Sequence, residues 1–199
     1  MFLTITSDFA RIGGAILNKA IFLDRDGVIN EDYGYVYEID KFSVIPGVFD
    51  AMRYFQENGF ILIVITNQAG IARGFYSESD LDRLNVHMVK VFASENIDLS
   101  RIYHCPHHPT EGVIKSLTIK CCCRKPNIGM IQKAVGDHNI NLSQSWLIGD
   151  KLSDIQAGNT CGLVGSILVG SQRVPVVNKN NFKYYKAKNL LDSCKIILG

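Results

Sequence analysis

A three-layer α/β sandwich built on a mostly parallel central sheet is the fold this sequence predicts, on three observations. Short apolar runs end abruptly in polar residues, stretches of helical spacing separate those runs, and the length suits one core of this kind. With 199 residues the chain can bury a continuous core but is too short for two full domains. Ala20-Ile21-Phe22-Leu23 runs into Asp24-Arg25-Asp26-Gly27, as a buried parallel strand feeding a polar loop does. Gly47 to Asn58 carries Val48, Met52 and Phe55 at helical spacing, with Gly59 as a C-cap. Phe60 to Ile65 predicts a second strand, ending in Thr66-Asn67-Gln68, and Ser79 to Asn96 a second helix. Ile128 to Asn139 reads as a third helix and Trp146-Leu147-Ile148 as a third strand, ending in Gly149-Asp150. Ser166 to Val169 adds a strand and Lys188 to Leu198 a closing helix. Alternation of this kind implies a sheet covered on both faces, with ligands at the carboxyl ends of its strands. The polar residues fall there.

Composition narrows the function. Hydrophobic residues make up 47% and charged residues 20%, the balance of a globular protein. The net charge of +2 comes from 21 basic and 19 acidic residues without the basic run that nucleic acid would require, so no nucleic-acid partner is expected. No apolar stretch approaches the roughly 20 residues that span a bilayer, so no membrane partner is expected; a cytoplasmic location is expected from the cysteines crowded between Cys105 and Cys123. Residues 1–18 contain Asp8 and Arg11 and lack a basic leader and a small-residue cleavage site. They read as an amino-terminal extension to a single domain over 19–199, not as a signal peptide.

Two carboxylates open the chemistry. Side chains two apart at a strand end point the same way, so Asp24 and Asp26 can share a cavity while Arg25 turns aside. Such crowding is costly unless a cation joins them or one carboxyl holds a proton. Magnesium suits one or two carboxylates plus substrate phosphate oxygens, and Asp150 can add the second carboxylate from a neighbouring strand. Four of the six cysteines crowd between Cys105 and Cys123, unlike a secreted disulfide framework. Cys105, His107, Cys121 and Cys123 form two short clusters with zinc spacing. Alternation turns Cys122 to the other side, and His104 and His108 are left out of the set. Four protein ligands leave no open position, so a zinc ion here would fix the loop, and with it Arg124 and Lys125, rather than perform chemistry.

Asp24-Arg25-Asp26-Gly27-Val28, Thr66, Arg124-Lys125-Pro126 and Gly149-Asp150-Lys151-Leu152-Ser153-Asp154 resemble, in order and spacing, the four motifs of the haloacid dehalogenase superfamily of phosphatases. The resemblance covers Ala20 to about Val169 and implies a Rossmann-like fold. It implies that Asp24 is the nucleophile and Asp26 the general acid and base, with Thr66, Arg124 and Lys125 stabilising the phosphoryl group. It further assigns magnesium to Asp24, the Asp26 backbone carbonyl and Asp150, with Asp154 supporting that shell. Asp32-Tyr33-Gly34-Tyr35-Val36 and Cys123-Arg124-Lys125-Pro126, with the zinc loop, are similar to a narrower group, the D-glycero-D-manno-heptose 1,7-bisphosphate 7-phosphatases and the related histidinol-phosphatases. That likeness places Asp32, Tyr33, Gly34, Tyr35, Thr66, Asn67, Gln68, Ala69, Arg124, Lys125 and Lys151 around a small sugar-phosphate substrate, and it implies a monomer. No insertion large enough for a separate cap domain stands between the motifs.

Histidinol phosphate is the alternative substrate, and a silent zinc-binding module is the reading from another class. The intact Asp24, Asp26, Thr66, Lys125 and Asp150 speak against the silent module. Gly162, Gly165 and Gly170 form neither a dinucleotide fingerprint nor a P-loop.

Overall fold

The computed structural model describes residues 11–12, 15–99, 101–170 and 182–199. Most of the expected amino-terminal extension lies outside them. Two short strands, β1 (Arg11–Ile12) and β2 (Ala15–Ile16), pair antiparallel.

The main chain path contains every predicted strand and helix and adds three elements, at residues 101–105, 152–161 and 185–187, that the sequence did not predict. It runs β3 (Lys19–Leu23), α1 (Val48–Glu57), β4 (Phe60–Asn67), α2 (Glu78–Ser94) and β5 (Arg101–Cys105), then α3 (Gly129–His138), β6 (Trp146–Gly149), α4 (Leu152–Cys161) and β7 (Gly165–Val169). A last strand, β8 (Tyr185–Ala187), and a last helix, α5 (Leu190–Leu198), complete it. The six strands lie in the order β5-β4-β3-β6-β7-β8, all parallel.

Strand periodicity explains the layers. Alternate β3 side chains point to opposite faces. Ile21 and Leu23 join Met52, Phe55, Met88, Phe92 and Leu190 in the core beneath α1, α2 and α5. Ala20 and Phe22 join Ile131, Ala134 and Ala157 in the core beneath α3 and α4. Both cores are fully excluded from solvent along β3, which is why that strand reads as an unbroken apolar run.

Local chemistry sets the helix ends. Gly59 takes φ +77°, closing α1 in the left-handed region where glycine carries no Cβ penalty. Ser77 caps α2 reciprocally: its Oγ accepts from the Asp80 amide at 3.2 Å while Asp80 Oδ2 accepts from the Ser77 amide at 2.7 Å. The helix therefore starts at Glu78, one residue before the sequence expectation.

Candidate active site

The strand order opens the site. From β3 the chain moves outward through β4 to β5, and from β6 it moves the other way through β7 to β8. A crevice therefore forms between the carboxyl ends of β3 and β6, the switch point at which such sheets bind ligands. Asp24 follows β3, Asp150 follows β6 and Thr66 lies near the end of β4. The Asp24 amide donates to the Ile148 carbonyl at 3.0 Å, tying the two strand ends together.

Asp24, Asp150 and Asp154 are all buried, with carboxylate oxygens within 4.8 Å of one another. Lys125 meets two of them: Nζ is 3.0 Å from Asp24 Oδ1 and 2.6 Å from Asp154 Oδ1, and donates to the Ile65 carbonyl at 2.7 Å. Burial pulls the Lys125 pKa down, but Asp154 and Asp24 outweigh it and hold it above the ordinary value. Burial also pushes Asp150 up to about 6; Lys151 pulls it back, while Asp24 and Asp154 add to the rise.

Two of the three carboxylates thus share one enclosed ammonium, and Asp150 Oδ1 is buried with no hydrogen-bond partner. Hard oxygen donors in excess, with one orphaned, fit a magnesium ion. Asp154 is occupied differently. Besides Lys125 it accepts the Lys151 amide on Oδ2 at 3.1 Å, so it anchors the lysine and the start of α4. Gly27 leaves room for this arrangement: its φ is +83°, and a Cβ there would stand 2.6 Å from Asp150 Oδ2.

Arg25 departs from the simple alternation. The chain turns after β3, with the Arg25 carbonyl accepting the Ile29 amide at 2.8 Å, so period-two geometry ends there. The Arg25 side chain is fully buried and curls back onto its neighbour. Its Nη2 donates to Asp26 Oδ1 and Oδ2 at 2.8 and 2.9 Å and to the Val36 carbonyl at 2.5 Å. Asn30 and Gln68 each add a 3.0 Å hydrogen bond to the Asp26 carboxylate. Gln68 Nε2 also donates to Thr66 Oγ1 at 2.8 Å, leaving the Thr66 hydroxyl hydrogen for another acceptor.

One cavity of about 460 Å³ gathers most of the expected residues: Asp24, Asp26, Asp32, Gly34, Tyr35, Thr66, Asn67, Gln68, Ala69, Arg124, Lys125 and Lys151. Tyr33 is exposed and does not line it. The Asn67 side chain brackets Lys125, accepting from its amide at 3.0 Å and donating to its carbonyl at 3.1 Å. Lys151 lies 3.4 Å from Asp32 Oδ2 and 3.5 Å from Asp150 Oδ2. Ser153 of the fourth motif lines the cavity too, and so do Arg73, Tyr76 and His108, which no sequence motif singled out.

The Cys105, His107, Cys121 and Cys123 cluster is assembled as expected. Its sulfur–sulfur distances are 3.0, 3.4 and 3.5 Å, and His107 Nδ1 lies 3.5 Å from Cys105 Sγ and 3.3 Å from Cys123 Sγ. Tetrahedral zinc with Zn–S near 2.3 Å implies edges of about 3.7 Å, so the cluster fits that ion with a small expansion. Burial and the neighbouring Cys123 thiol push the Cys105 thiol well up, a bias that a bound cation reverses. Cys122 is exposed, and His104 pairs with Glu78 at 2.9 Å instead. The loop also touches the cavity wall: Gln68 donates its amide to the Cys105 carbonyl at 2.8 Å, and Arg124 Nη1 donates to the His107 carbonyl at 3.1 Å.

Known proteins resemble this chain in sequence and fold. Residues 122–192 match a family model described as HAD-hydrolase-like. A protein of Burkholderia mallei named D-glycero-alpha-D-manno-heptose-1,7-bisphosphate 7-phosphatase is 48% identical over 152 residues, covering 76% of this chain and 80% of its own. The D-glycero-beta-D-manno-heptose-1,7-bisphosphate 7-phosphatase of Haemophilus influenzae is 40% identical over 182 residues, covering 91% and 97%. The D,D-heptose 1,7-bisphosphate phosphatase of B. bronchiseptica, solved with magnesium and phosphate, superposes with a TM-score of 0.76 at 28% identity, covering 90% of this chain and 98% of its own. Among the described residues no helix is long and apolar enough to cross a membrane. The chain belongs to the haloacid dehalogenase superfamily of phosphatases, in the family of the D-glycero-D-manno-heptose-1,7-bisphosphate 7-phosphatases.

Proposed function

We propose that this enzyme removes the C7 phosphate of a D-glycero-D-manno-heptose 1,7-bisphosphate and leaves the C1 phosphate in place. The observation that carries the reading is the pairing of Asp24 with Lys125 at the switch point, beside the orphaned Asp150 oxygen. Asp24 Oδ1 is held by the Arg25 amide at 2.8 Å and by Lys125, which fixes the carboxylate for in-line attack on phosphorus.

Attack forms an aspartyl-phosphate on Asp24 and breaks the bond to the C7 oxygen, which takes a proton from Asp26. Asp26, now a carboxylate, removes a proton from water as that water attacks the aspartyl-phosphate, releasing inorganic phosphate and restoring both side chains. Arg25, Asn30 and Gln68 hold Asp26 in position for both transfers. The free Thr66 hydroxyl hydrogen and the Lys125 ammonium face the charge that spreads over the phosphoryl oxygens. Arg124 adds a guanidinium suited to a phosphate. A magnesium ion held by Asp24, the Asp26 carbonyl and Asp150 would offset the negative charge of the phosphoryl group and of Asp24.

Zinc held by Cys105, His107, Cys121 and Cys123 would fix the loop that carries Arg124 and Lys125. Asp32, Gly34, Tyr35, Asn67, Gln68, Ala69 and Lys151 complete the surroundings of the sugar. We read the protein as a cytoplasmic monomer with one domain over 19–199 after an extension over 1–18. Phosphorus NMR of the reaction products tests the proposal. One equivalent of inorganic phosphate with the C1 signal retained supports it, whereas loss of the C1 signal first defeats it.

A further inference from the structure

We propose that Tyr76 is a positioning residue for the general acid: its hydroxyl locks the Gln68 side-chain amide in the orientation that leaves the Asp26 proton free for the leaving group. The inference rests on reading Asp26 as the acid of the phosphoryl transfer.

The local sequence fixes where Tyr76 stands. It immediately precedes Ser77, the N-cap of α2. Its ring packs with Leu81, the fourth residue of that helix, and with Ile71, an apolar staple of the kind that sets how a chain enters a helix. Tyr37 stacks on the ring at a centroid distance of 4.7 Å, with the planes 15° apart. Gly70 makes room for the ring edge, since a Cβ there would stand 2.1 Å from Tyr76 Cε1. The side chain is thus held on several sides with its hydroxyl turned to Gln68. Burial pushes the phenol well above its ordinary pKa, so the hydroxyl keeps its hydrogen.

That hydrogen decides which way Gln68 faces. Tyr76 Oη donates to Gln68 Oε1 at 2.5 Å. With its oxygen so occupied, the amide turns Nε2 to the other side, where its two hydrogens reach Asp26 Oδ2 at 3.0 Å and Thr66 Oγ1 at 2.8 Å. The Gln68 main chain is tied to the Cys105 carbonyl at 2.8 Å and its side chain is buried, so reversal of the amide is the freedom that remains.

Reversal would harm both partners. Gln68 Oε1 facing Asp26 would accept the proton of the acid form, which the C7 oxygen needs. The same oxygen facing Thr66 would draw the hydroxyl hydrogen that the phosphoryl oxygens use. The loss at Thr66 falls on every phosphate ester. The loss at Asp26 falls only on esters whose leaving oxygen must be protonated, such as a sugar alkoxide. A nitrophenolate departs as the anion and needs no proton.

The test compares kcat/KM for heptose 1,7-bisphosphate and for p-nitrophenyl phosphate in the wild-type enzyme, Tyr76→Phe, Gln68→Ala, the double variant and Asp26→Asn. This quantity covers the steps up to departure of the leaving group, before Asp26 acts on water. Tyr76→Phe keeps the ring, its stack and its staple, and removes only the hydroxyl. Its loss on the sugar is expected to be about tenfold, and at least about fivefold greater than its loss on the aryl ester. Gln68→Ala should discriminate in the same direction, and adding Tyr76→Phe to it should change the ratio no further. Equal losses on the two esters in Tyr76→Phe, or a full further effect of Tyr76→Phe in the Gln68→Ala background, would overturn the inference while Asp26→Asn still discriminates. Equal losses in Asp26→Asn would remove the general acid itself, and the role of Tyr76 with it.

Discussion

Lys125 Nζ stands 3.0 Å from Asp24 Oδ1, with both side chains buried. The same ammonium is 2.6 Å from Asp154, so one lysine positions the proposed nucleophile and satisfies a fully enclosed carboxylate. Replacing Lys125 by Met leaves both acids without their counter-charge. Breaking a buried pair on one side costs about 3–5 kcal/mol, so thermal unfolding should shift down by roughly 10 °C and phosphatase turnover should vanish. A variant with wild-type stability would show that the pair contributes nothing to the fold.

Asp24→Asn removes the nucleophile while keeping its shape. Turnover is expected to fall at least about a thousandfold, with the circular dichroism spectrum and melting temperature retained. Residual activity near the wild-type level would exclude an aspartyl-phosphate on this residue.

Asp150 makes magnesium binding depend on pH. Its carboxyl titrates at about 6 rather than the usual 3.8, so the metal-free fold holds a proton there that the unfolded chain has already lost between about pH 4 and 6. Stability of the metal-free protein from this group therefore falls as pH rises through that window. A cation needs the ionised carboxylate and reverses that loss. Magnesium should raise the melting temperature more at pH 7.5 than at pH 5, by a few degrees. Equal increases at the two pH values would place the ion away from Asp150.

Cys123→Ser tests the link from the cysteine cluster to the active site. Cys123 Sγ lies 3.0 Å from Cys105 Sγ, and Arg124 and Lys125 follow it in sequence. The variant should lose its zinc, measured by elemental analysis, and lose phosphatase activity through misplacement of those two cations. Full zinc content would remove Cys123 from the ligand set.

Much of this site was legible in the sequence because parallel strands place residues predictably. Asp24, Thr66 and Asp150 stand at the ends of three apolar runs, and pairing of β3 with β4 and β6 brings those ends together. The cysteine and histidine spacing was equally direct. Strand β5 was missed because Arg101-Ile102-Tyr103-His104-Cys105 mixes polar and apolar residues at an edge position. Helix α4 was missed because it packs through small residues such as Ala157 and Gly158 rather than an apolar stripe. Arg25 gave no hint of its burial, since that depends on a turn that returns its guanidinium to Asp26 and Val36. Arg73, Tyr76 and His108 reach the cavity from loops and carry no local pattern.

The most direct test of the whole account is phosphate release, with magnesium present, from the α and β anomers of heptose 1,7-bisphosphate and from histidinol phosphate. The account predicts a specificity constant for one heptose anomer well above that for histidinol phosphate. A preference for histidinol phosphate, or no release from any of the three, would contradict it.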